Sequence, residues 1–121
     1  MTAKTLIIDD DPSFNAILVR TMTRRGFPTQ GVTDVEAALS IAREQLPQQI
    51  VLDLNLNGSS GLALIPQLLA INPDCRIVVL TGYASIATAV DAVKLGAVQY
   101  LAKPVEIEAI LAAFEDDDGP D

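Results

Sequence analysis

The chain has 121 residues, half of them apolar, which is enough for one compact domain with a real core and too little for two. Sixteen acids against eight bases leave a net charge of −8, so the domain is not built to grip phosphate backbones and suits a cation or a basic partner. Cys75 is the single cysteine and there is no histidine, which excludes an internal disulfide and a zinc site of Cys and His and makes a reducing, cytoplasmic setting the default. No run approaches the roughly 20 apolar residues of a membrane span, and the first residues lack the pattern of a signal peptide.

Taken in order, short apolar runs alternate with segments of helical period. A first strand is expected over Lys4–Asp9, a helix over Pro12–Arg25, a strand over Phe27–Gly31 and a helix over Asp34–Leu46. A third strand over Gln49–Asp53 leads to a helix over Ser60–Ile71. Then come a strand over Arg76–Leu80, a helix over Ala84–Leu95, a strand over Ala97–Leu101 and a helix over Pro104–Phe114. Gly26, Thr33 or Asp34, Pro47 and Gly96 punctuate the pattern as caps and stops. All strands but the second are apolar on both faces, as in a covered parallel sheet. Five β-α units predict a doubly wound α/β domain, (βα)5, of the flavodoxin-like kind.

Ligands of such sheets bind at the carboxyl ends of the strands. There the sequence places Asp9, Asp10 and Asp11, then Asp53 and Asn55, then Thr81 and Gly82, then Lys103-Pro104. Asp11 before Pro12 reads as a helix cap. Asp9, Asp10 and Asp53 close buried strands, and carboxylates about 4 Å apart repel by several kcal/mol per pair, a cost that a hard cation such as Mg²⁺ relieves. The backbone carbonyl of Asn55 can add a further ligand. Pro104 holds Lys103 extended and directs its ammonium at the acids, while Thr81 can donate to an anion. A carboxylate nucleophile, a cation site, a lysine and a hydroxyl on one edge suit phosphoryl transfer to Asp53.

The segments LIIDDDP, IVLDLNLNGSSGL, VVLTGYAS and YLAKP, in this order, resemble the receiver domain of two-component response regulators, over residues 1–114. LTGYASIATAVDAVKLGAVQYLAKP is most similar to redox-responsive regulators of the RegA/PrrA/ActR type. The resemblance implies that Asp53 takes phosphate from a sensor histidine kinase. It also implies that Asp10, Asp53 and the Asn55 carbonyl hold Mg²⁺ with Asp9 acting through water, and that Lys103 and Thr81 contact the phosphoryl group. Thr81 and Tyr100 become switch residues that remodel the face of the fourth helix, fifth strand and fifth helix, through which the chain can dimerise. Asn55 and Tyr83 set the lifetime of the phosphate. Such a domain is a phosphoacceptor, limited to its own phosphorylation and dephosphorylation, and not an enzyme with external substrates.

Residues 115–121, EDDDGPD, read as the start of an acidic linker to a missing helix-turn-helix output domain that binds DNA. A stand-alone receiver is the alternative. A hydrolase working through an aspartyl phosphate fits less well, because there the acid pair follows the nucleophile. Two residues depart from the receiver pattern: Asn57 stands where proline is usual, and Pro66 lies inside the third helix, where a kink is expected. In the fourth helix Ile86, Val90 and Val93 form an i, i+4, i+7 apolar stripe among alanines. Cys75 reads as a small buried hydrophobe and not as a redox sensor.

Overall fold

The computed structural model describes residues 3–56, 59–82 and 86–116; for residues 59, 60, 86 and 116 it describes the backbone only. Tyr83, Asn57 and residues 117–121 lie outside the described residues. The chain runs β1 (Thr5–Ile8), α1 (Pro12–Arg24), β2 (Thr29–Val32), α2 (Val35–Gln45), β3 (Gln49–Asp53), α3 (Leu64–Ile71), β4 (Arg76–Thr81), α4 (Ile86–Lys94), β5 (Gln99–Ala102) and α5 (Ile107–Asp116). The strands form one parallel sheet in the order β2-β1-β3-β4-β5. A two-residue antiparallel ladder, Asn55–Leu56 with Ser59–Ser60, and a 3₁₀ turn, Gly61–Ala63, follow β3.

The continuous apolar strands divide their side chains between two cores. Leu6, Ile8, Ile50, Leu52, Ile77 and Val79 face α2, α3 and α4, whereas Ile7, Val51, Val78 and Leu80 face Leu18 of α1 and Ile110, Ala113 and Phe114 of α5. Period-two alternation thus buries both faces of the sheet, as parallel strands require. A surface ion pair between Arg25 and Glu108 ties the end of α1 to α5.

Most expected boundaries hold to within a few residues, and the departures have local causes. Pairing in β2 starts at Thr29 and not at Phe27, because Pro28 has no N–H to give the ladder; only its carbonyl is used, by Thr5 N at 2.8 Å. Pro66 is the third residue of α3, within the first turn, where backbone N–H groups have no helical partner, so it begins a shorter helix instead of kinking a long one. The fifth helix starts at Ile107, three residues beyond Pro104, and continues to Asp116.

The stripe expected on α4 is inverted. Ala89 and Ala92 are fully buried, while Val90 and Val93 are 40% and 41% exposed. Small residues let the helix lie close to the sheet, and the valines that carried the periodic signal face outward; the side chain of Ile86 is outside the described set. Few buried methylenes then hold α4 in place.

Asp34 caps α2, accepting from Ala37 N at 2.8 Å, and the helix ends at Leu46 in the left-handed conformation (φ 48°). Leu46 is also half exposed. A β-carbon in this conformation costs roughly 1–2 kcal/mol, which glycine avoids while giving back part through its looser unfolded chain. Leu46→Gly should therefore raise the urea unfolding midpoint by the equivalent of about 0.5–1 kcal/mol, and an unchanged or lower midpoint would contradict the strain.

Candidate functional site

Three strand ends build the site. β1 delivers Asp9, which is 1% exposed, and Asp10; β3 delivers Asp53, 5% exposed; and the turn after β5 delivers Lys103. One carboxylate oxygen from each of Asp9, Asp10 and Asp53 lies within 4.8 Å of the others. Lys103 Nζ reaches across, donating to Asp9 Oδ2 at 3.2 Å and to Asp53 Oδ2 at 3.3 Å.

Each group is fixed by its neighbours. The other oxygen of Asp9 accepts from Asp11 N at 2.9 Å, and the other oxygen of Asp53 accepts from Asn55 N at 3.1 Å. Asp11 caps α1, accepting from Ser13 N and Phe14 N, with Pro12 in the first helical position. The backbone of Lys103 donates to Thr81 O at 2.8 Å, and its ammonium sits 4.8 Å from the centre of the Phe14 ring. The Lys103–Pro104 peptide is cis. Thr81 is buried, one residue beyond the Asp53–Leu80 pair of the sheet register, and its hydroxyl donates to Gly82 O at 3.0 Å. A cleft of about 450 Å³ opens beside these groups, lined by Asp11, Phe14, Gly82, Lys103, Pro104 and Val105.

The electrostatics are those of an unbalanced cluster. Burial lifts the Asp53 carboxyl above its ordinary range; the Asn55 N–H opposes this, the Asp9 charge adds to it, and Lys103 offsets only part. Burial works to lower the Lys103 ammonium, but the charges of Asp53 and Asp9 and its hydrogen bonds to them outweigh that and hold it above its ordinary value. Asp9 and Asp53 share one lysine, with the Asp10 carboxylate beside them, so the grouping favours a further positive charge. Oxygen ligands at 2.0–2.6 Å from a divalent ion lie at most about 4–5 Å apart, so the 4.8 Å grouping of carboxylates fits such an ion.

Asp9, Asp10, Asp53 and Lys103, named from the sequence, are thus brought together, with Thr81 and Asn55 bonded at the margin. Tyr100, partly buried in β5, packs instead into the core on the α4 side of the sheet. Tyr83 is outside the described residues. The sequence reading overlooked Phe14 and Asn15. Asn15 is buried with Leu18 and Met22 on the inner face of α1, and a polar residue in that apolar stripe was the available signal.

A model of the response regulator receiver domain matches residues 5–115. The chain belongs to that family. As a receiver it is 46% identical over 109 residues to the acid tolerance regulatory protein ActR of Rhizobium meliloti (strain 1021), covering 90% of this chain and 56% of that protein. It is 44% identical over 109 residues to the photosynthetic apparatus regulatory protein RegA of Rhodobacter capsulatus, covering 90% of this chain and 59% of that one. The receiver thus spans a little over half the length of these relatives. Among solved structures, a response regulator from Burkholderia pseudomallei, with a phosphorylated aspartic acid, calcium ion and citrate, superposes with a TM-score of 0.89 at 46% identity, covering 96% of this chain and 69% of that one. The receiver domain of NtrX from Brucella abortus gives 0.87 at 27% identity, covering 94% and 97%. The expected resemblance to the ActR and RegA type is met, and so is the expected fold.

Proposed function

We propose that Asp53 accepts a phosphoryl group from a sensor histidine kinase, with Mg²⁺ as the ion beside it. The observation that carries this reading is the convergence of Asp9, Asp10 and Asp53 on one another with Lys103 bonded to two of them. The phosphorylated aspartate and calcium of the Burkholderia pseudomallei protein support it. Asp10, Asp53 and the Asn55 carbonyl would hold the ion, with Asp9 acting through water. When bound, the ion supplies neutralisation of phosphoryl oxygen charge.

The chain's own contribution is positional. Asp53 Oδ1 stays on the Asn55 N–H while Oδ2, on the Lys103 side, forms the bond to phosphorus as the bond from phosphorus to the kinase imidazole breaks. Lys103 then moves its bond from the carboxylate to a phosphoryl oxygen, and the Thr81 hydroxyl turns from Gly82 O to another. Thr81 and Tyr100 pass the change to the face of α4, β5 and α5, through which two chains pair. Asn55 and Tyr83 set the phosphate's lifetime. Residues 1–114 act as the receiver and 115–121 begin a linker; the whole protein is a cytoplasmic transcriptional regulator that reads DNA through a C-terminal helix-turn-helix. The regulatory names of ActR and RegA and their greater length support this. Among the described residues no helix is long and apolar enough to cross a membrane.

Incubation with acetyl phosphate and Mg²⁺ should add one base-labile phosphoryl group per chain, located by mass spectrometry on the peptide that contains Asp53. Labelling at another residue, or none from several donors, overturns the reading. For the switch, beryllofluoride with Mg²⁺ should shift backbone NMR signals across residues 84–105; signals unmoved there rule out this route.

A further inference from the structure

Asn15 lies on α1, 5% exposed, outside the set of acids and lysine. Its amide nitrogen spends both hydrogens on backbone, donating to Asp9 O at 3.0 Å and to Val32 O at 2.7 Å. Val32 O also accepts from Asp9 N at 3.2 Å, so the backbone of Asp9 is held on both sides. The carbonyl that Asn15 grips belongs to the peptide joining Asp9 to Asp10. Rotation of that peptide would re-aim the Asp10 carboxylate and the turn that presents Asp11 N to Asp9 Oδ1.

The neighbouring strand makes room for this amide. A β-carbon on Gly31 would stand 1.9 Å from Asn15 Oδ1 and 2.8 Å from Val19 Cγ2, so no side chain fits at residue 31 while Asn15 keeps its place. Both side-chain bonds of Asn15 go to backbone carbonyls, so its action on the carboxylates runs through main chain.

We propose that Asn15, with the space left by Gly31, is a positioning residue that fixes the Asp9–Asp10 peptide and thereby sets the divalent-cation affinity of the acid cluster. The inference rests on the metal reading above. Partners of this kind, one step removed from a metal, typically change affinity by about 10–100-fold when removed.

The test is Mg²⁺ and Mn²⁺ titration of the unphosphorylated chain by calorimetry, with urea stability measured in parallel. Asn15→Leu keeps the branched shape of the side chain and removes the donor, and it should weaken binding about tenfold. Gly31→Ala should weaken it similarly, by displacing the amide. The pair Asn15→Ala and Gly31→Ala should bind no more weakly than Asn15→Ala alone, because both act through one contact. Ala42→Gly, in α2 on the other core, calibrates instability without loss of affinity. Should Asn15→Leu fail to fold, Asn15→Ser takes its place in the titration. Wild-type affinity in the Asn15 and Gly31 variants overturns the positioning role alone, whereas a wild-type chain that binds neither ion overturns the metal reading on which it rests.

Discussion

Asp53→Asn should abolish acyl phosphate formation and, without divalent ions, make the protein more stable at neutral pH. The first effect follows from removing the nucleophilic oxygen. The second follows from the sign of the Asp53 shift. Its folded-state pKa is raised, chiefly by burial and then by the Asp9 charge, so its favourable contribution is present below the ordinary carboxylate pKa and is lost as pH rises through the raised value. At pH 7 the ionised group is a net cost. Asparagine retains an oxygen for the Asn55 N–H and carries no charge. A gain of about 1–2 kcal/mol is the order expected from relieving one carboxylate repulsion that Lys103 partly offsets, and it corresponds to several degrees in Tm for a domain of this size. The gain should shrink as pH falls toward the Asp53 pKa, and also with saturating Mg²⁺, which stabilises the wild type by mass action. Calorimetric melts at pH 4 and 7, with and without Mg²⁺, read all of this. A variant that labels as well as the wild type, or melts lower at every pH, contradicts the assignment of Asp53 as a charge-strained acceptor.

Lys103→Met is expected to act in the opposite direction on stability. The side chain is 31% exposed, yet it joins two carboxylates that are 1% and 7% exposed. Methionine keeps much of the stem and removes the charge, including the ammonium that sits over Phe14. Breaking a fully buried pair costs about 3–5 kcal/mol; with water still reaching the ammonium, about 1–3 kcal/mol is the scale here. The deficit should be largest at neutral pH, should narrow as acid protonates Asp53, and should narrow on adding Mg²⁺, which supplies charge to the same oxygens. Phosphotransfer from acetyl phosphate should slow, because the transferring oxygens lose their lysine partner. Urea melts across that pH range, alongside labelling rates, provide the check. Wild-type stability and labelling together would reduce Lys103 to an ordinary surface lysine.

The five β-α units, the sheet edge and the meeting of Asp9, Asp10, Asp53 and Lys103 were legible because each rests on a short-range pattern: apolar runs, caps, and acids at strand ends. The misses share a different origin. Val90 and Val93 obey helical period, but period alone does not say which face is inward, and close approach to the sheet selected Ala89 and Ala92. Pro66 read as a kink inside the third helix because the 3₁₀ turn that moves the helix start to Leu64 is a property of the loop after Asp53. The bonds of Asn15 and the Arg25–Glu108 tie cross 17 and 83 residues of chain; local pattern marks Asn15 as a polar residue in an apolar stripe but carries no signal for either set of partners.

Cys75 is buried, and burial pushes its thiol up to about 11, which removes it from thiolate chemistry at neutral pH as its reading as a hydrophobe requires.

The attachment of Lys103 has a mechanical side. Its tip holds Asp53 at 3.3 Å while its own backbone N–H holds Thr81 O at 2.8 Å, so one residue is fastened both to the acid cluster and to the end of the adjoining strand. The bonds from Asp53 to the end of β4 therefore run through a single residue, Lys103. The strand ends of this sheet are thus tied to one another as well as carrying the acids, while α4 rests on the sheet through the small side chains of Ala89 and Ala92.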